Sequence, residues 1–205
     1  MKIICIGRNY AEHTKELNNA IPEKPVVFLK PATALLKDNK PFYYPDWTND
    51  LHYETEIVLR VSKQGKYVDE KFAHKYFDAV TVGIDFTARD LQNTQKAKGL
   101  PWEIAKAFDH SAVIGNIKPL SELAEWDEKG ISFSLLLNGK QVQTGSTNDM
   151  MFSFGKIISY CSQFFTLQVG DLIYTGTPVG VGPVQREDRL EGFLETEKVF
   201  DFMIK

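Results

Sequence analysis

The chain is 205 residues long and 43% hydrophobic, enough to bury a sizeable core and short enough that one domain spanning residues 1–205 is the default expectation. Its 24 basic and 27 acidic residues leave a net charge of -3 with no long block of either sign, which argues against a nucleic-acid or membrane-surface partner and for a small molecule. There is no signal-peptide-like start and no apolar run of membrane-spanning length, and the two cysteines, Cys5 and Cys161, stand far apart in apolar surroundings, so a soluble cytoplasmic protein with reduced, buried thiols is expected.

Lys2 to Ile6 reads as a first strand and Tyr10 to Asn18 as a short helix. On that helix His13 and Glu16 fall three apart, where the carboxylate is able to orient the imidazole as a general base; the solvated face of a charged helix accounts for the same spacing. Pro25 to Leu29 is a second strand, and Leu35 to Asn49, rich in Pro, Asp, Asn and Lys, is a loop. In Leu51 to Val61, Glu54 and Glu56 stand two residues apart among β-branched, aromatic and aliphatic neighbours. On a strand they share a face with His52 while Tyr53, Thr55 and Ile57 take the other, so the carboxylates converge and need a cation, a proton or plain solvation to offset their repulsion. Ala79 to Ile84 is a buried strand that runs into Asp85, where an uncompensated acid is costly. Three carboxylates with no sulfur ligand suit magnesium or manganese.

Asp90 to Lys98 is a second short helix, and Lys106 follows the Gly99-Leu100-Pro101-Trp102 turn among apolar residues, placed either to meet an anionic substrate or simply on the surface. Asn138-Gly139 supplies the positive backbone angles of a type I′ turn, making Ile131 to Gln143 a hairpin. Met151 to Phe165 carries Phe154, Ile158, Cys161 and Phe165 at helical spacing, as core contacts. Asp171 to Tyr174 and Phe193 to Ile204 are further strands, and between them Thr175 to Pro183 has enough glycine for backbone amides to approach a ligand, or merely to turn; it lacks the Lys-Ser/Thr ending of a nucleotide loop. The strands do not alternate with helices, which defines a mainly β fold with short helices, α+β in class.

Six blocks, Gly7-Arg8-Asn9-Tyr10, Phe28-Leu29-Lys30-Pro31, His52-Tyr53-Glu54-Thr55-Glu56, Asp85-Phe86-Thr87-Ala88-Arg89-Asp90, Lys98-Gly99-Leu100-Pro101-Trp102 and Thr175-Gly176-Thr177-Pro178, occur in an order that resembles the fumarylacetoacetate hydrolase (FAH) family over nearly the whole chain. The resemblance is to its short members, which hydrolyse acylpyruvates and decarboxylate oxaloacetate. It implies a layered, mixed β-roll like the FAH C-terminal domain, a homodimer, and Mg2+ or Mn2+ held by Glu54, Glu56 and Asp85. It implies catalytic roles for His13, Glu16 and Lys106, with Arg89, Gln92 and Thr177 facing a small 2-oxo acid. Val179 departs from the pattern, standing where many relatives carry a basic residue. The activity so implied is hydrolysis of the C3–C4 bond of an acylpyruvate by water that His13 activates, under a lid formed by Gly7 to Pro22, giving a carboxylate and pyruvate through its enol. The alternatives are oxaloacetate decarboxylation, isomerisation or tautomerisation of related dicarboxylates such as 2-hydroxyhepta-2,4-diene-1,7-dioate, and, in another class, a non-catalytic β module that binds a cation for structure.

Overall fold

In the computed structural model, which describes residues 1–16 and 20–205, the segment expected to be one strand from Glu54 to Val61 is joined to a second strand by a break at Glu54 itself. Leu51–Tyr53 pairs with Thr87–Ala88 and with Gly182–Pro183 in a small three-stranded sheet, whereas Thr55–Val61 runs through the middle of an eight-stranded one. Glu54 is therefore a corner, and its carbonyl accepts a hydrogen bond from the Asp85 amide at 2.8 Å. The convergence of the two glutamates owes as much to this corner as to strand alternation.

The large sheet runs Val26–Lys30, Ile3–Gly7, Leu172–Tyr174, Thr55–Val61, Phe77–Asp85, Ala112–Ile114 and Leu35–Leu36, with Lys118–Pro119 also paired to Phe77–Asp85. Ile3–Gly7 lies parallel to Leu172–Tyr174, and Leu35–Leu36 parallel to Ala112–Ile114; the other pairs are antiparallel. Both faces of this sheet are covered. Ile4, Ile6, Ile57, Leu59, Val82 and Ile84 join the main core, while Ile3, Cys5, Val58, Ala112, Leu172 and Tyr174 pack on the opposite face. That is why the first strand reads as an unbroken apolar run instead of an alternating one. Cys5 and Cys161 are buried and unbridged, and burial pushes the Cys161 thiol up to about 12.

A second, four-stranded sheet orders Lys140–Ser146, Ser132–Leu137, Arg189–Leu194 and Glu197–Met203 and covers the main core with Phe133, Leu135, Phe200 and Phe202. Its first hairpin turns at Asn138 and Gly139, both with positive φ, as expected. The expected Phe193 to Ile204 strand is instead the second half of another hairpin, folded back at Glu195. The physical reason is that Glu195 takes the left-handed conformation, φ 53°, that Asn or Gly usually supplies, so no residue type announces the turn. Ser132 N–H donates to the Glu195 carboxylate at 2.8 Å and holds it there.

The helices are few and short. Ala11–Glu16 forms the described part of the first one, and the expected continuation through Leu17 and Asn18 lies outside the described residues. Arg89–Lys98 ends at Gly99, which adopts φ 64°. Phe154–Phe164 starts at a Ser153 cap rather than at Met151, and turns Phe154, Ile157, Ile158 and Cys161 into the core. Among the described residues no helix is long and apolar enough to cross a membrane.

Asn9, just past the first strand, ties three distant segments together from a fully buried position. Its Nδ2 donates to the Thr175 carbonyl at 2.8 Å and to the Phe152 carbonyl at 3.1 Å, while its Oδ1 accepts from the Phe152 amide at 2.7 Å. Asn9→Ala removes all three bonds and leaves backbone groups buried without partners, so a urea titration is expected to show a loss of roughly 3 kcal/mol with an unchanged m-value.

Candidate active site

Glu54, Glu56 and Asp85 each present a carboxylate oxygen within 4.8 Å of the others, and all three side chains are buried. Glu54 sits at the corner between two sheets, Glu56 two residues into the adjoining strand, and Asp85 at the end of the neighbouring strand, paired so that Glu56 lies opposite Gly83 and Thr55 opposite Ile84. Backbone pairing thus brings together acids that are about thirty positions apart in sequence.

Three buried cations answer two of the three acids. Lys30 Nζ lies 2.7 Å from Asp85 Oδ1. Lys106 Nζ bridges Glu54 Oε2 and Asp85 Oδ2, at 2.7 Å from each, and also donates to Thr87 Oγ1 at 2.6 Å. Arg89 donates to Glu54 Oε1 at 2.5 Å and to Gln92 Oε1 at 2.7 Å. Burial alone raises the Glu54 pKa, but Lys106 and Arg89 outweigh it and hold the group well below the usual carboxylate range. The same ion pairs raise Lys106 above its ordinary value against the pull of burial, so it stays an ammonium.

Glu56 is treated differently. Among the described residues it has no side-chain cation partner; its Oε2 accepts from the Gly176 amide at 2.8 Å. Burial, with Asp85 and Glu54 beside it, pushes its pKa well up. An all-oxygen donor set with one acid short of positive charge fits a hard divalent cation, which would be held by Glu54, Glu56 and Asp85. The glycine-rich segment after Leu172–Tyr174 therefore points an amide at an acid of the site. Gly176 is required there: it has φ 103°, and a Cβ would stand 2.6 Å from Asn9 Cβ.

The remaining expected residues converge on the same place. His13, Arg89, Gln92, Lys106 and Thr177 line one pocket with the three acids, about 410 Å³ of empty space when its mouth is included, and Ile6, Arg8, Phe28, Lys96 and Trp102 complete the wall. His13 Nδ1 and Glu16 Oε2 are 3.0 Å apart, and the other Glu16 oxygen accepts from the Gly180 amide at 3.1 Å. An ionised carboxylate only accepts, so in the neutral imidazole Nδ1 carries the proton and Nε2 has the lone pair. Of the segment expected to close over the site, Leu17 to Asn19 lies outside the described residues.

Several residues escaped the sequence reading. Lys30 is one of them; the signal for it is a lysine ending an otherwise apolar strand. Gln143 is buried on the neighbouring sheet, where its Oε1 accepts from the Thr55 amide at 3.0 Å and its Nε2 donates to Thr177 Oγ1 at 3.0 Å, fixing the acid strand against the Thr177 loop. Nothing local in the hairpin sequence marks it.

A mainly β scaffold buries an acidic triad beside a histidine–carboxylate pair, a donor set that suits a hard cation. The chain belongs to the fumarylacetoacetate hydrolase family: residues 2–201 match the family described as fumarylacetoacetate (FAA) hydrolase C-terminal. It is 41% identical over 189 residues to the mitochondrial oxaloacetate tautomerase FAHD1 of Bos taurus, covering 92% of this chain and 85% of that one. Oxaloacetate tautomerase YcgM of Escherichia coli K12 is also 41% identical over 189 residues, covering 92% and 86% of the two chains. Among solved structures, fumarylpyruvate hydrolase of Pseudomonas aeruginosa, in complex with Mn2+ and pyruvate, superposes with a TM-score of 0.92 at 35% identity, covering 100% of this chain and 89% of that one.

Lys106→Met strips the ammonium from between Glu54 and Asp85 and leaves both carboxylates buried beside Glu56. The metal-free variant is expected to lose about 3–5 kcal/mol of stability. Added Mn2+ should raise its melting temperature by more than it raises that of the parent protein, as checked by differential scanning calorimetry with and without the ion.

Proposed function

We propose that this enzyme uses a divalent cation to interconvert the keto and enol forms of a bound 2-oxo acid, with oxaloacetate as substrate. The observation that carries the reading is the His13–Glu16 pair, a proton-moving group facing the same pocket as the acidic triad. The 41% identity to two oxaloacetate tautomerases supports this choice of reaction.

Glu54, Glu56 and Asp85 would hold a divalent cation, which would supply Lewis acidity to a bound 2-oxo acid. The chain's own groups do the rest. Lys106, an ammonium whose three N–H groups go to Glu54, Asp85 and Thr87, holds two of the acids in place, and Thr177, whose Oγ1 accepts from Gln143, keeps its hydroxyl proton for the substrate's carboxylate. The Gln92 carbonyl is engaged by Arg89, which leaves its NH2 end as a donor to substrate oxygen. His13 Nε2 takes a proton from C3 as the C2–C3 double bond forms, and the resulting imidazolium returns that proton, through water, to the C2 oxygen to complete the enol; the reverse path protonates C3. Glu16 fixes the tautomer of His13 and stabilises the imidazolium formed in that step.

Acylpyruvate hydrolysis, the reaction expected from sequence, is the second reading. It uses the same histidine to activate water instead of moving the C3 proton, and the likeness to a fumarylpyruvate hydrolase supports it. Oxaloacetate decarboxylation needs the cation but no base, so it makes no use of the His13–Glu16 pair.

The test follows three signals in parallel with Mn2+, with chelator and after Mn2+ is restored: ultraviolet absorbance of oxaloacetate enol, pyruvate from oxaloacetate, and pyruvate from acetylpyruvate. Faster enol decay with little pyruvate is expected from tautomerisation, and His13→Ala should slow it roughly a hundredfold or more. Pyruvate from acetylpyruvate as the dominant signal makes hydrolysis the assignment. Pyruvate from oxaloacetate that survives His13→Ala makes it decarboxylation. A rise in melting temperature with Mn2+ and no turnover leaves a cation-binding module.

A further inference from the structure

We propose that Arg8 and Lys96 form a seat for a second carboxylate in the pocket, so that its preferred ligand is a 2-oxo dicarboxylate rather than a 2-oxo monocarboxylate with an apolar tail. The inference rests on the 2-oxo acid reading above and adds to it the group that distinguishes one such acid from another.

The charges of the pocket are the first argument. Glu54, Glu56 and Asp85 stand beside three buried cations, Lys30, Arg89 and Lys106, whose ion-pair partners are Glu54 and Asp85. Arg8 and Lys96 line the same pocket and are additional to this balance; among the described residues neither forms an ion pair with a carboxylate. Two like charges face a common space, a cost that a bound anion removes.

Their placement is the second argument. Arg8 adopts φ 59°, a backbone conformation that side chains other than glycine and asparagine seldom take, at the point where the first strand delivers the chain to the pocket wall. Lys96 comes from the Arg89–Lys98 helix, one turn beyond Gln92, and its Nζ lies 5.7 Å from the centroid of the Trp102 ring, which holds the ammonium against the wall. Burial lowers the Lys96 pKa, and Arg8 is the foremost charge adding to that effect. The two cations are thus close enough to sense each other while coming from separate elements. Of the lysines and arginines lining the pocket, Arg89 and Lys106 are taken by the acids, so a distal anion has Arg8 and Lys96 to meet.

The experiment is isothermal titration calorimetry of the Mn2+-loaded protein with 2-oxoglutarate and with 2-oxobutyrate, which share the 2-oxo carboxylate and differ in the distal one. The parent protein is expected to bind 2-oxoglutarate at least about tenfold more tightly. Arg8→Gln and Lys96→Met should each weaken 2-oxoglutarate roughly fivefold or more while leaving 2-oxobutyrate within about twofold, and the double variant should bring the two ligands near parity. Unchanged 2-oxobutyrate binding also shows that the variants are folded. Equal weakening of both ligands, or a preference that persists in the double variant, overturns the proposal while leaving the 2-oxo acid reading intact. Binding of neither ligand to the parent protein overturns that reading and this one with it.

Discussion

Three carboxylates within 4.8 Å of one another in a water-poor interior set the terms for the rest of the molecule. At an effective dielectric constant of about 20, two ionised carboxylates that close repel by about 3 kcal/mol, and each also gives up its hydration. The fold supplies the compensation from many directions: Lys30 from an edge strand, Lys106 from the short Glu103–Lys106 helix, Arg89 from the first turn of another helix, and the Gly176 amide from the loop after Leu172–Tyr174. A shift in any of these elements lengthens a hydrogen bond to a buried carboxylate. Packing of the sheets and electrostatics of the site are for this reason one problem.

The acids themselves were legible in the sequence because spacing and context carry them: two glutamates two apart in a strand-like segment, and an aspartate ending an apolar run. The family blocks added His13, Glu16, Lys106, Arg89, Gln92 and Thr177, which the structure brings to one pocket or its immediate support. What could not be read depends on backbone paths. The corner at Glu54 and the turn at Glu195 use residues with no turn signature, and Arg8 looks like any surface arginine until its positive φ places it on the pocket wall. Gln143 lies in a hairpin whose alternation gives no hint that the next sheet has carried Thr55 and Thr177 to within its reach.

On the proposed reading, tautomerisation, decarboxylation and C–C hydrolysis of 2-oxo acids share the development of negative charge on one oxygen, which the triad's cation is placed to meet. They differ in what else must be present. A base is needed to move the C3 proton or to activate water, and a group must recognise the far end of the substrate. Both tasks fall to the pocket's periphery, to the His13–Glu16 pair and to the side chains beyond Gln92. Relatives named for different reactions on one scaffold are what such a division of labour produces.

The parallel pairing of Ile3–Gly7 with Leu172–Tyr174 has a consequence for how the protein is made. Ile3 lies opposite Leu172, and the Lys2 amide donates to Asp171 at 2.7 Å, so this strand waits for a partner made 169 residues later. Until then Ile3, Ile4, Cys5 and Ile6 form an apolar segment with one hydrogen-bonding edge open, a natural client for holding chaperones. Arg8 and His13 follow that strand directly while Thr177 follows its late partner, so the two walls of the pocket are joined only after that partner has been made.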